Sequence, residues 1–203
     1  MGAKIIQFSK IHKFSEDFLL NLQFSFLPSP SLKSLKYFAV SKKKPIFATM
    51  NEKVTLYHGS NVVVEKPQVL VSGFYKDFGY GFYCTILEKQ ARKWALTKRG
   101  DHIVSVYHYQ PAIDLKVLSF PEMTDEWLDF VVDCRRGVKH DYDVVEGPMA
   151  DDQIWDYVED YMEGSITREA FWILAKFKYP THQIVFCTQK ALESLTYERS
   201  ISL

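Results

Sequence analysis

The chain has 203 residues, 47% of them hydrophobic and 15% aromatic, with 25 basic and 25 acidic side chains and no net charge; it can bury one sizeable core and is too short to favour more than one or two domains. No run approaches the roughly 18 consecutive apolar residues of a membrane helix, which argues against an integral membrane protein. Cys84, Cys134 and Cys187 lie far apart without a C-x-x-C pair, so neither a zinc ribbon nor a disulfide scaffold is expected, and reduced, cytosolic thiols fit best.

The neutral total hides a split. Residues 1–50 carry eight lysines against Glu16 and Asp17, a balance of +6, and residues 51–203 carry 17 basic against 23 acidic residues, a balance of −6. The basic part also holds Pro28, Pro30, Pro45 and Lys42-Lys43-Lys44, and reads as a poorly packed leader. A targeting or nucleic-acid-binding arm is the competing reading, although no small-residue cleavage site follows an apolar stretch. The folded domain is expected over residues 51–203.

Val54 to His58 is a β-branched and aromatic run and predicts a strand that ends in His58-Gly59-Ser60. Asp77-Phe78-Gly79-Tyr80-Gly81 is a glycine-loosened turn leading into a second strand, Phe82 to Thr85. Together these can hold a planar heterocycle between the Tyr83 ring and backbone amides, the outline of a nicotinamide clamp. A dinucleotide-binding fingerprint is absent, because Cys84 stands where the third glycine of G-x-G-x-x-G would fall. Asp77 itself reads as a turn former.

Thr85 can cap a helix over Leu87 to Lys98 that places Leu87, Ala91, Trp94 and Ala95 on one face. Ile103 to Tyr109 alternates as a strand, and a short strand is expected around Leu115 to Leu118. Thr124 followed by Asp125 and Glu126 starts a helix that Gly137 stops, with Trp127, Phe130, Val131 and Cys134 as its apolar stripe. Asp141 to Pro148 reads as a strand and a turn. Asp151 or Asp152 caps a helix carrying Ile154, Tyr157, Val158 and Tyr161 at helical spacing, its acidic face solvated. A helix over Thr167 to Lys178 with Phe171, Trp172 and Phe177, a strand over Gln183 to Cys187, a short helix over Gln189 to Leu195 and a strand over Thr196 to Ile201 complete an α+β pattern in which hairpins outnumber parallel crossovers.

Other chemistries carry less. A thiolate at Cys84 has no local signature, and a strand cysteine is usually a small buried apolar residue. His102 and His108 share a strand face but lack metal-ligand spacing and a supporting Cys or carboxylate cluster. No metal is expected. A nucleic-acid-binding module would rest on the basic leader and the many Tyr and Phe, and the acidic body opposes it.

The ordered set Tyr57-His58-Gly59-Ser60, Asp77-Phe78-Gly79-x-Gly81-Phe82-Tyr83, Trp127-Leu128-x-Phe130 with Arg135, Tyr142-Asp143-x-Val145-x-Gly147-Pro148-x-Ala150-Asp151-Asp152, and Gln183-Ile184-x-Phe186 resembles a bacterial family of uncharacterised proteins placed among the ADP-ribosyltransferases, over about residues 53–200. The resemblance implies a split antiparallel β-sandwich with flanking helices and a cleft for NAD, taken as substrate. It also implies a relation to the branch with a His-Tyr-Glu triad, which includes the catalytic fold of poly(ADP-ribose) polymerases. By that resemblance His58 holds the adenosine ribose, the Gly59 backbone receives the nicotinamide carboxamide and Tyr83 stacks on the nicotinamide ring, with Ser60, Gly81 and Phe82 around them. Each role suits the group: imidazole pairs with hydroxyls, glycine admits close approach and a Tyr face binds a flat ring. A core histidine and ordinary strand packing are the plainer alternatives.

The third triad position departs from the pattern, since the strand reads Thr181-His182-Gln183-Ile184. Gln183 is the expected site residue, with His182 the alternative on the opposite face. An amide supplies hydrogen bonding to ribose but no full charge. Arg135 could face the pyrophosphate, as a guanidinium suits phosphate oxygens, and Asp143 or Asp151 could line the cleft wall; Asp151 and Asp152 could equally be caps alone. The expected activity is ADP-ribose transfer to a protein or nucleic-acid target with release of nicotinamide, as a cytoplasmic toxin or an effector delivered to another cell, beside a small neutralising protein partner. The alternative is a catalytically weak NAD-binding or protein-interaction domain that keeps the fold.

Overall fold

The computed structural model describes residues 53–71, 76–176 and 181–203. The basic leader over residues 1–50, Phe177 and Lys178 lie outside the described residues. Strand β1 (Val54–Ser60) pairs antiparallel with β3 (Ile103–Tyr109), and β3 with β7 (Leu195–Ser202), giving a sheet of order β1-β3-β7. The second sheet has the order β2-β6-β5-β4, from β2 (Phe82–Cys84), β6 (Gln183–Phe186), β5 (Val144–Gly147) and β4 (Val117–Ser119). In it β2 with β6 and β6 with β5 are antiparallel, and β5 with β4 parallel. The molecule is thus mixed α+β.

The helices are α1 (Glu88–Leu96), α2 (Asp125–Arg135), α3 (Asp152–Glu163), α4 (Arg168–Ala175) and α5 (Gln189–Leu192). Thr124, Thr167 and Thr188 each cap a helix start, their side chains accepting from Trp127 N, Ala170 N and Ala191 N, which satisfies amides that have no partner within the helix. Thr85 does not cap α1. Its hydroxyl accepts instead from Leu87 N at 3.0 Å in a local turn, and Leu87 stands at the cap position. Asp151 is the residue ahead of α3 but its side chain makes no capping bond.

Alternation along β5 and β6 divides the core in two. Leu56, Phe82, Tyr107, Val144, Ile184 and Phe186 pack between the two sheets. Val145 and Val185, on the other face, pack with Phe78, Trp127, Phe130, Val158 and Phe171 beneath α2, α3 and α4. Both faces of β5 and β6 are therefore buried, and the polar Glu146 and Gln183 are buried with their apolar neighbours. Burying one such side chain contributes about 2 kcal/mol. On the far side of the first sheet Ala91 and Ala95 of α1 rest on Val104. Trp94, expected on that buried face, is 48% exposed under the Lys98 ammonium. Gly59 explains the rotation: a Cβ there would overlap the Ala91 carbonyl oxygen and stand 2.9 Å from Ala95 N, so α1 seats its alanines on bare backbone.

Candidate functional site

Strands β1 and β2 are joined by one bridge and then part. Tyr57 N donates to Thr85 O at 2.8 Å and Thr85 N to Tyr57 O at 3.0 Å. Continuing that register would pair Gly59 with Tyr83, yet the Tyr83 carbonyl is taken by the His58 imidazole, whose Nδ1 lies 2.7 Å away. A side chain has replaced the next rung of the ladder. Because Tyr57 directs its amide and carbonyl to the outer edge of β1, antiparallel alternation aims the N–H and C=O of Gly59, two residues on, toward the same edge and into the gap.

The tautomer of His58 follows from this bond. A carbonyl only accepts, so Nδ1 carries the proton and Nε2 keeps its lone pair. Burial lowers the pKa of His58 below its ordinary value, with Lys76 and Lys98 adding to that and the bond to Tyr83 opposing it. The ring is neutral at pH 7. It lies against Phe82, with ring centroids 4.5 Å apart.

Tyr83 points the other way. Phe82 packs between the sheets and Tyr83 against the second core, so the imidazole and the phenol ring flank the gap from opposite faces of β2, linked through the Tyr83 carbonyl. The phenol donates to Gly79 O at 2.6 Å and accepts from Phe78 N at 3.3 Å, and burial, then Asp77, raises its pKa well above the usual value. One face of the ring carries the Lys76 ammonium 4.6 Å from its centre. The turn that delivers it closes with Gly79 N on Lys76 O at 2.9 Å and needs Gly79 at φ +77°. Gly81 lets β2 come close to Val185 and Phe186.

Gln183 shares the Tyr83 face. In the register of β2 and β6 it falls opposite Thr85, one step past Cys84 and Ile184. Its Nε2 donates to Asp77 Oδ2 at 3.1 Å and to Pro148 O at 3.2 Å. The second oxygen of Asp77, Oδ1, receives Arg135 Nη2 at 2.6 Å and Nε at 3.2 Å, and Oδ2 also receives Ala150 N at 2.8 Å. Arg135 completes its bonding on Trp155 O and Glu159 Oε1, both at 3.2 Å, with its guanidinium 3.5 Å above the Trp155 ring. The paired side chains are 2% and 5% exposed.

This placement corrects two expectations. Arg135 does not face a pyrophosphate, because its donors are satisfied inside the protein, and Asp77 is the hub of a buried network as well as part of a turn. Their partnership spans 58 residues, and neither residue carries a local signal that points to the other. Ser60 turns its hydroxyl onto Val62 O at 2.6 Å. Asp143 is occupied by Lys116 N at 2.9 Å and Thr188 Oγ1 at 2.7 Å, which ties β4, β5 and the start of α5 together. The Asp152 side chain lies outside the described residues. His182, the alternative to Gln183, accepts Ile86 N on Nδ1 at 3.3 Å, and burial lowers its pKa to about 4.

The remaining candidates separate in space. Cys84 is buried and its thiol pKa is pushed well up by desolvation, which removes the thiolate a nucleophile needs. His102 bonds Ala95 O at 3.0 Å while His108 pairs with Glu198 at 3.3 Å. Among the described residues no group of three or more His, Cys, Asp or Glu could hold a metal ion, and no helix is long and apolar enough to cross a membrane. An open cavity of about 490 Å³, lined by Lys66, Gln68, Val69, Cys187 and Thr188 among others, lies past the opposite end of β6 from Gln183 and shares no residue with the gap.

No curated protein matches the chain. A family model described as a protein of unknown function, DUF3990, matches residues 54–197, a span that runs from β1 into β7 and takes in the gap, the Asp77 hub and both cores. The chain belongs to the DUF3990 family.

Proposed function

We propose that this chain is an ADP-ribosyltransferase-like domain of the split-sandwich type that binds NAD where β1 and β2 part, and that it transfers ADP-ribose to a macromolecular target. The observation that carries the reading is the missing rung: His58 occupies the Tyr83 carbonyl, so the Gly59 N–H and C=O are aimed at the gap instead of at β2. A carboxamide has the matching acceptor and donor, and can bond both groups at once. His58 Nε2, an acceptor in the neutral ring, suits a ribose hydroxyl. The Tyr83 face already holds a cation, Lys76, and the pyridinium of NAD is a flat cation of the kind such a face attracts.

In the transfer, the bond between the ribose C1′ and the nicotinamide nitrogen breaks and its electron pair neutralises the pyridinium. A nucleophile of the target forms the new bond to C1′ and gives its proton to solvent. The chain contributes grip at Gly59, His58 and Tyr83, and an uncharged ribose acceptor at Gln183. Gln183 also favours a second reading, a domain that binds NAD and turns it over slowly, since an amide stabilises the cationic centre less than a carboxylate would. A protein or nucleic-acid target, a small neutralising protein partner, and action as a toxin or effector in the cytoplasm of its own or another cell belong to the same proposal.

Incubating the full chain with NAD labelled in the adenylate and with cell lysate tests the reading. Label on protein or nucleic acid is expected for transfer. A melting-temperature rise with NAD and no transferred label would select the slow binder, and neither response would overturn both readings.

A further inference from the structure

We propose that Asp77 is a positioning residue that fixes the direction of the Gln183 amide and makes position 183 intolerant of a carboxylate; this rests on the NAD reading of the neighbouring gap. Asp77 Oδ2 and Pro148 O are both acceptors only, so the two groups they receive from residue 183 are the two N–H bonds of one NH2. The amide therefore cannot flip. Its Oε1 has no protein partner among the described residues and lies on the buried face shared with Tyr83. The site thus presents a neutral acceptor of fixed orientation to a ribose hydroxyl.

The same geometry explains why the residue is Gln and not Glu. A carboxylate at 183 would bring a further negative charge to about 3 Å from Asp77 Oδ2, inside a network where Arg135 already meets two carboxylates, Asp77 and Glu159, and two carboxylates that close do not both stay ionised. The negative charge of the network sits one hydrogen bond behind the ribose, not on it. Moving the charge forward requires both changes at once: an asparagine in place of Asp77 can accept from Arg135 through its amide oxygen and donate through its amide nitrogen to a glutamate in place of Gln183, at the cost of the bonds from Ala150 N and to Pro148 O.

The test uses the full chain in four forms: wild type, Gln183→Glu, Asp77→Asn and the double variant Asp77→Asn/Gln183→Glu. Melting temperatures are taken without NAD from pH 5 to pH 8, and NAD turnover is then followed for each. Gln183→Glu is expected to melt below wild type by a margin that widens as pH rises, since the fold must hold residue 183 protonated while the unfolded chain releases the proton. The double variant is expected to melt above both single variants, with a flat pH response, and to raise kcat more than tenfold over wild type at similar KM. If Gln183→Glu matches wild type at every pH, or if the double variant is no better than the sum of the singles, the inference falls even where NAD binds. If no form responds to NAD, the function reading falls, and with it the positioning role, while the melting series still reports whether the two residues are coupled.

Discussion

The gap between β1 and β2 and the Asp77 hub lie a few residues apart in the turn that delivers Tyr83, and they treat polar groups in opposite ways. In the hub both oxygens of the Asp77 carboxylate are consumed: they meet a guanidinium, an amide side chain and a backbone N–H, under nearly complete burial. In the gap a histidine intercepts a carbonyl so that the next backbone amide and carbonyl of β1 are aimed between the strands and not bonded across them. Groups paired inside a fold hold it together, and groups held back from pairing are the ones that can recognise a ligand. Arg135 falls on the first side of that line: a guanidinium that is buried, stacked and paired is structure, whatever its suitability for phosphate.

The largest effect should come from breaking the hub. Asp77→Ala leaves the Arg135 charge buried with its main partner gone and should cost about 4 kcal/mol in urea unfolding. Gly59→Ala should come next, at about 3 kcal/mol, because the new Cβ meets backbone of α1 that cannot give way, and it should also weaken NAD binding. Gln183→Ala should leave NAD affinity within a few-fold and lower turnover by about a hundredfold, whereas His58→Ala should abolish binding and cost only about 1 kcal/mol of stability; equal loss of affinity in both variants would erase the division between grip and chemistry. Acid should produce the mildest change. His58, His140 and His182 all have lowered pKa values because burial penalises their charged forms. The unfolded chain therefore takes up protons first, so their contribution is full above pH 6.5 and is lost as pH falls toward about 4. A melting temperature that rises on acidification across that window would contradict these burials.

Local chemistry made much of the fold readable. The strand expected over Ile103 to Tyr109 forms with those bounds, and Thr124 caps α2 as its position before two acidic residues implied. In the same way the four apolar stripe residues of α2 are all buried. What stayed hidden depends on partners far away in sequence. Trp94 has the spacing of a core residue, but the close seat of α1 on Gly59 turns it outward. The Asp77 carboxylate is fixed by residues from α2, the segment before α3 and β6, so no window around it shows more than a turn. The sequence suggests one clamp for the His58 and Tyr83 rings, whereas the structure sets them on opposite faces of β2 and links them only through the Tyr83 backbone carbonyl, a bond that no sequence pattern marks. Asp151 had the composition of a cap and makes no capping bond, because a suitable residue type licenses an interaction without forming it.

The central claim is that Gly59 offers its backbone to NAD at the edge of β1. Titrating NAD into the ¹⁵N-labelled full chain and following the Gly59 amide resonance tests this most directly. The account predicts a saturable shift at Gly59, mirrored by the His58 ring and absent in His58→Ala, where the Tyr83 carbonyl is released and the ladder can close. An unmoved Gly59 amide at NAD concentrations that shift resonances elsewhere would contradict it.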